Sequence, residues 1–489
     1  MVRSQQHSES WIDYSPTRVE DSFSAFKRAY PIFDTTGLLD ELRSREFARL
    51  DEQNHIYVDY TGSGLYADSQ IREHVDLLRR GVYGNPHSGS PASLASTRMC
   101  ERARNRVLEY FGASKDEYVA IFTANASGAL KLVGESYPFE PDDHYLLTFD
   151  NHNSVNGIRE FARAKGAAVT YIPVVPPDMR VDEDALDGYL RDARPGGNNL
   201  FAYPAQSNFS GVQYPLDWID RAHDRGWDVL VDCAAFVPTN KLDLSRWHPD
   251  FVPISFYKIF GYPTGVGCLL ARKAALQKLR RPWFAGGTIT IASVQADRHF
   301  MAEGAEAFED GTINYLELPA VEAGLKHVSS IGIDRIHQRV TCLTGWLLDN
   351  LVSLHHGNGA PSVRVYGPTD LHMRGATVSM NFYDPKGVLI DHRKIEARAS
   401  KANISLRAGC FCNPGAGEVA HGLTKAEMDE GFKNEERMTF EQFLTVLERT
   451  GGKSAGAVRI SLGLASNFAD AYRFMQFAQG FLNKDAPDV

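Results

Sequence analysis

From Ile56 onward the chain alternates short apolar runs with longer amphipathic stretches. IYVDY, YVAIFTA, HYLLTFD, AAVTYIPV, NLFAYPA, WDVLVDCAA and FVPISF each read as a buried strand, with helical spacing between them. Crossovers of roughly ten or more residues predict an α/β unit, a mostly parallel sheet covered on both faces. Its ligands should gather at the carboxyl ends of the strands. Beyond residue 320 a long helical region gives way to the short strands SVRVYG, GATVSMNFY and AVRISLG, which predict a smaller α+β C-terminal domain. The polar start, followed by a helical pattern through Leu38, Leu39, Leu42 and Phe47, predicts an arm packed on that small domain. The expected division is an arm over 1–55, a large domain over 56–320 and a small domain over 321–489. Within the last, about 413–456 reads as an insertion rich in Gly, Glu and Lys, with helical spacing in MTFEQFLTVLERT. No internal repeat is found, which sets solenoids aside.

Composition changes this picture little. Across 489 residues, 43% are hydrophobic and 23% charged, ordinary globular values that exclude disordered and collagen-like classes. A formal charge of -9, from 52 basic and 61 acidic residues, argues against a general attraction to nucleic acid or anionic lipid, but leaves room for a local phosphate pocket. The start MVRSQQHSESWIDYS lacks the apolar stretch of a secretory signal, and no long uncharged run suits a bilayer, so a cytoplasmic protein with reduced thiols is expected. Six cysteines, at Cys100, Cys233, Cys268, Cys342, Cys410 and Cys412, are too sparse for a disulfide scaffold. The close pair Cys410 and Cys412 lacks a second Cys/His pair, so no metal site is expected.

Five segments carry candidate chemistry. SFYKIFGYPTGVG places Lys258 between a strand and a glycine-containing turn, in apolar company that should lower its amine pKa and make it a better Schiff-base nucleophile. The plainer reading is a surface lysine that snorkels. WDVLVDCAAF ends a strand with Asp232, an acid suited either to pair with a pyridinium nitrogen or to cap a turn. FTANASGALKL leads from a strand through Thr123, Ser127 and Gly128 into a helix, either a phosphate cup or a plain Ser-capped helix start. LLTFDNHNSVNG puts His152 past another strand end, where an imidazole either stacks on a flat cofactor or serves structure. Cys410 and Cys412, flanked by Gly409, Gly415 and Gly417, read as a mobile thiol loop or as two small buried apolar residues. Arg407 stands near enough in sequence to lower the pKa of Cys412.

The ordered set GNPHSGSP, FTANASGALKL, DNHNSVNG, YPAQSNFSGVQYPL, VDCAAF, SFYKIFGYPTGVG, FEDGTINYL, LRAGCFCNPGAG and GAVRISLGLASN resembles the cysteine-desulfurase domain of eukaryotic-type molybdenum cofactor sulfurases. These belong to class V of the fold-type-I pyridoxal-phosphate family, and the likeness runs from about residue 30 to the end. The resemblance implies that Lys258 holds pyridoxal 5'-phosphate, that Asp232 pairs with its ring nitrogen, that His152 stacks on the ring and that Asn208 touches its hydroxyl. Ser127 and Ser255 would bind the phosphate, and Thr288 would reach a phosphate across a homodimer interface. Arg459 would clamp the carboxylate of an amino acid substrate, L-cysteine, with Arg407 beside it. Cys412 would take the sulfur as a persulfide, leaving L-alanine. Tyr257 and Ala235 depart from simpler desulfurases, which carry histidine and glutamine there, and Gly417 stands where sulfurases often have a further cysteine. Relatives usually continue into a molybdenum-cofactor domain, whereas this sequence ends at Val489, which leaves the sulfur acceptor unnamed. The same cofactor would also support a lyase or tailoring enzyme acting on another amino acid. A non-enzymatic sulfur-carrier scaffold is disfavoured by the intact Lys258, Asp232, His152 and Arg459.

Overall fold

The computed structural model describes residues 14–433, 437–439, 442–443, 445–446 and 455–489. The polar lead over 1–13 lies outside them, as does most of the helical spacing in Met438–Thr450. The centre of the molecule is a seven-stranded sheet in the order 118–123, 267–272, 251–255, 227–232, 199–204, 144–148 and 168–172. Every pairing is parallel except those of Gly267–Arg272, which runs antiparallel to both neighbours.

The near-continuous apolar runs exist because both faces are covered. Phe201 and Tyr203 belong to one core while Leu200 and Ala202 belong to the other, and Val229 and Val231 alternate likewise with Leu230. Strand side chains point alternately up and down, so a strand buried on both sides has no polar alternate. Helices Pro91–Tyr110 and Leu318–Ile331 supply Cys100, Ala103, Val107, Val321 and Leu325 to the first face. Helices Ala126–Ser136 and Ile158–Ala164 close the second through Ala129, Val133 and Ile158.

A separate core joins helices Ile333–Val352 and Phe468–Gln479 to a four-stranded antiparallel sheet of 363–366, 377–382, 457–461 and 407–409. Tyr14, Phe26 and Phe33 enter this second core, whereas Leu39, Leu42, Phe47 and Leu50 enter the first. The leading arm therefore bridges the two cores instead of packing on the small domain alone. The boundary expected at residue 56 also shifts. Ile56–Tyr57 pairs in parallel with Ile404–Ser405, and Ile56 and Val58 lie in the second core. IYVDY is thus a strand of the smaller unit, a long-range pairing that no local pattern announces.

Candidate active site at the carboxyl ends of the large sheet

Lys258, Asp232, His152, Asn208, Ser127 and Ser255 line one cavity of about 400 Å³. Each is delivered by a strand end. Phe251–Ser255 runs directly into the short helix Phe256–Phe260 that bears the lysine, and Trp227–Asp232 is its parallel neighbour. Burial lowers the Lys258 amine pKa; Asp232 opposes that shift, and the Arg459 and Arg407 cations add to it. A partly buried, destabilised ammonium is not a snorkelling surface lysine. Asp232 caps the turn that follows its strand, its Oδ1 accepting the Ala234 N–H at 2.9 Å, and the residue also lines the cavity.

His152 follows strand His144–Thr148, and its Nδ1 accepts the Ser154 N–H at 3.1 Å. That bond leaves the proton of the neutral ring on Nε2. Burial lowers its pKa, Asp232 opposes, and Lys258 and Arg459 reinforce the neutral form. At the helix over Ala126–Ser136 the cap is Asn125, whose side chain accepts the Gly128 N–H at 2.9 Å. Ser127 is therefore not the cap. Its hydroxyl lies 2.6 Å from that of Ser154, and both residues line the cavity. The helix start comes this close because position 267 is glycine: a Cβ there would sit 2.5 Å from the Asn125 carbonyl carbon. Gln206, Tyr257, Ala235, Thr264 and Gly265 line the same space. The sequence reading gave these no role; Gln206 and Thr264 lie in the segments YPAQSNFSG and GYPTGVG, whose glycines and strand ends were the available signal.

Arg459 and Arg407 are not among the residues lining that cavity. They are direct cross-strand partners, a like-charge pairing that is unfavourable by itself. Asp59 offsets it. Its carboxylate accepts from Arg407 Nε at 3.1–3.2 Å and NH2 at 2.7 Å, and from Arg459 NH2 at 3.1 Å. Arg407, placed by the sequence beside the thiol as a free cation, is thus engaged by an acid that arrives from Val58 and Ser461 backbone pairing. Arg459 also donates from NH1 to the Asn208 carbonyl at 3.0 Å and lies over the Phe411 ring at 4.7 Å. Burial brings its pKa down to about 10 against the pull of Asp59. Among the described residues nothing accepts its buried Nε–H. An arginine that keeps donors beyond these two bonds is suited to a carboxylate.

Cys412 is exposed and Cys410 partly so, which removes the reading as buried apolar residues. The Cys412 sulfur stands close enough that a thiolate there raises the pKa of both Lys258 and Arg459. Its loop is not the free hinge expected from the glycines. Gly415 and Gly417 lie buried in helix Pro414–His421, and a Cβ on Gly415 would overlap the Phe149 carbonyl oxygen, so this glycine serves close packing. Phe411 is buried against Phe209 with Met179 and Tyr366 in a small core. Phe411 and Cys412 are both left-handed, with φ of 54° and 55°, which costs about 1–2 kcal/mol each. Burying a phenylalanine contributes about 1.5–3 kcal/mol, and hydrogen bonds of about 1 kcal/mol each on this loop make up the remainder.

Thr288 stands apart from the cavity. It is fully buried, and its hydroxyl donates to the Ala285 carbonyl and accepts the Ala285 N–H, both at 2.8 Å. It closes the turn before the exposed hairpin of Ile289–Ser293 and Arg298–Met301, so within this chain its hydroxyl serves that turn.

A strand-end cavity with an enclosed lysine facing an aspartate is the arrangement of one broad enzyme class, and the aminotransferase class-V family model matches residues 56–474. The chain belongs to that family. Molybdenum cofactor sulfurase of Solanum lycopersicum is 36% identical over 490 residues, covering 94% of this chain and 59% of that protein. The Bos taurus protein of the same name is 37% identical over 462 residues, covering 90% of this chain and 51% of that protein. The chain thus spans between about half and three fifths of the length of these curated relatives. The fold is that of the apo cysteine desulfurase from Thermococcus onnurineus NA1, with a TM-score of 0.73 at 22% identity over 90% of this chain and 97% of that one. A C-DES mutant with glycine covalently linked to its PLP cofactor superposes with a TM-score of 0.67 at 19% identity, over 90% of this chain and 99% of that one. No helix among the described residues is long and apolar enough to cross a membrane.

Proposed function

We propose that this chain binds pyridoxal 5'-phosphate and takes sulfur from L-cysteine, as a desulfurase of the molybdenum-cofactor-sulfurase type. The observation that carries the reading is the convergence of Lys258 and Asp232 on one cavity, with the exposed Cys412 thiol near enough to act on the charge of Lys258. The donor set fits the cofactor. A destabilised amine suits its aldehyde, a carboxylate its ring nitrogen, a neutral imidazole its face, and a helix start with Ser127 and Ser255 its phosphate. A cavity of about 400 Å³ is of the size such sites have. When bound, this cofactor supplies an electron sink that loosens the substrate's Cα–H and C–S bonds.

The protein's own groups divide the remaining work. Lys258, kept from holding a proton tightly by burial, is the amine able to take one up and return it. Asp232 would keep a proton on the cofactor's ring nitrogen. Arg459, whose guanidinium keeps N–H groups beyond those given to Asn208 and Asp59, binds the substrate carboxylate. Cys412 attacks the substrate sulfur, so that L-cysteine and the enzyme thiol become L-alanine and an enzyme persulfide with no outside oxidant. The relatives named molybdenum cofactor sulfurase and the desulfurase fold support this choice over other reactions of the same cofactor.

A homodimer is supported by apolar side chains on one exposed segment, where Phe300 and Val294 are 68% and 98% accessible. The free state of all six cysteines suits the cytosol. The test is mass spectrometry of the protein incubated with L-cysteine. Alanine should appear together with a Cys412 peptide heavier by one sulfur, and Cys412→Ser should keep cofactor absorbance and lose both products. Alanine formation by that variant at the wild-type rate would remove Cys412 from the reaction.

A further inference from the structure

The left-handed pair Phe411–Cys412 is held from outside its own loop. Asn208 Nδ2 donates to the Phe411 carbonyl at 2.8 Å, and the Asn153 N–H donates to the Cys412 carbonyl at 2.7 Å. The next residue, Asn413, is fully buried and uses its amide in three directions. Its Nδ2 donates to the Asp150 carbonyl at 2.6 Å and to Asn208 Oδ1 at 2.8 Å, while its Oδ1 accepts the Ala416 N–H at 3.2 Å.

We propose that Asn413 is the positioning residue for the Cys412 thiol, tying the rim of the cavity to the wall that would hold the cofactor. The inference rests on the reading of Cys412 as the sulfur-taking group. Asn208 is the common point: it lines the cavity, holds the Phe411 carbonyl, and receives the Asn413 amide. Asp150 follows strand His144–Thr148 and leads directly to His152, so its carbonyl is as fixed as the cavity wall. Only an amide supplies both the acceptor that caps helix Pro414–His421 and the donors that bind these two segments. A thiol displaced by about 1 Å from its line of attack loses about 100-fold in rate, and two consecutive left-handed residues relax once their tethers are cut. Sulfur is accordingly taken up and handed over at the cavity mouth, by a thiol held in place and not by one carried outward on a swinging loop.

Asn413→Asp keeps the helix-capping acceptor and removes both donors, which separates positioning from helix structure. In the cofactor-loaded enzyme, kcat for alanine formation should fall about 100-fold, with KM for cysteine, set by Arg459, held within about threefold. Alkylation of Cys412 by iodoacetamide, followed as the mass of its peptide at a temperature well below each protein's own thermal midpoint, should accelerate. Asn413→Ser, which also caps, carries the same measurements if the acidic variant does not fold. Wild-type kcat together with a wild-type alkylation rate in a folded variant would overturn the proposal. Should the wild-type protein release no alanine from cysteine, the desulfurase reading fails, while the alkylation rates still decide whether Asn413 holds Cys412.

Discussion

The two walls of this site are built by different means. On the cofactor side, Lys258, Asp232, Ser255 and His152 each stand at or just beyond the end of a strand in one sheet, and each is placed by the strand that precedes it. On the sulfur side, Arg459, Arg407 and Cys412 come from the small sheet and its following loop, and are placed by side chains distant in the chain. Asp59 bridges the arginines, Asn208 and Asn413 pin the loop, and Phe411 anchors it. The first wall is held by strands whose backbone is buried within the sheet. The second is rigid only while its polar contacts hold. A substitution on the first wall should remove chemistry outright, whereas one on the second should change how well substrate and thiol are aimed.

The largest effect tests the first wall. Lys258→Ala should lower alanine formation by about 10³-fold or more, and borohydride should no longer trap a cofactor adduct on the chain. Trapping that persists at another residue would show that the sheet-end wall was misassigned. An intermediate effect tests the second wall. Arg459→Lys keeps the charge and loses the planar fork, so KM for cysteine should rise about 30-fold, equivalent to ~2 kcal/mol of charged hydrogen bonding. A KM that stays put while kcat collapses would place Arg459 with the chemical groups and erase the distinction between the walls.

The smallest effect lies on the seam between them. Asp150 is buried, accepts a hydrogen bond from the Tyr214 hydroxyl at 2.9 Å, and has an Oδ1 with no partner among the described residues. Burial pushes its carboxyl up from 3.8 to about 6. Because the folded value lies above the unfolded one, the protonated acid favours the folded state. That contribution is complete below about pH 4 and is lost as pH rises through about 6. Asp150→Asn should therefore be the more stable protein at pH 7, by on the order of 1–3 kcal/mol, and lose that advantage near pH 4. Urea denaturation of both proteins at the two pH values measures it. Equal pH dependence in the two would mean that Asp150 is not a strained acid beneath the sulfur loop.

The asymmetry of the walls also explains what could be read in advance. Strand ends are visible as apolar runs, so Asp232 at one such stop and His152 just past another were singled out without knowing how the sheet is ordered, whereas Ser255 came only from the resemblance. Asp59 was missed because nothing around IYVDY marks it as a partner of arginines some 350 and 400 residues away. Gly415 was misread for a related reason: beside two cysteines a glycine suggests motion, and only the packed Phe149 carbonyl shows that it is there to let a helix approach. Thr288 was carried over from a resemblance, and its hydroxyl turns out to be spent on its own turn.

By itself the sequence, though it missed the antiparallel strand Gly267–Arg272, determined a mostly parallel sheet covered on both faces, six of its seven strands in their order along the chain, and the residue types that end them. These follow from local periodicity, which a strand buried on both faces writes into every second position and a helix into every third or fourth. Tertiary structure alone decided which acid meets which arginine, why two left-handed residues persist at Cys412, and that the strand at Ile56 belongs to the far domain. Those outcomes depend on contacts between segments far apart in the chain, where free energy is set by burial and complementary charge and leaves no mark on the neighbours in sequence.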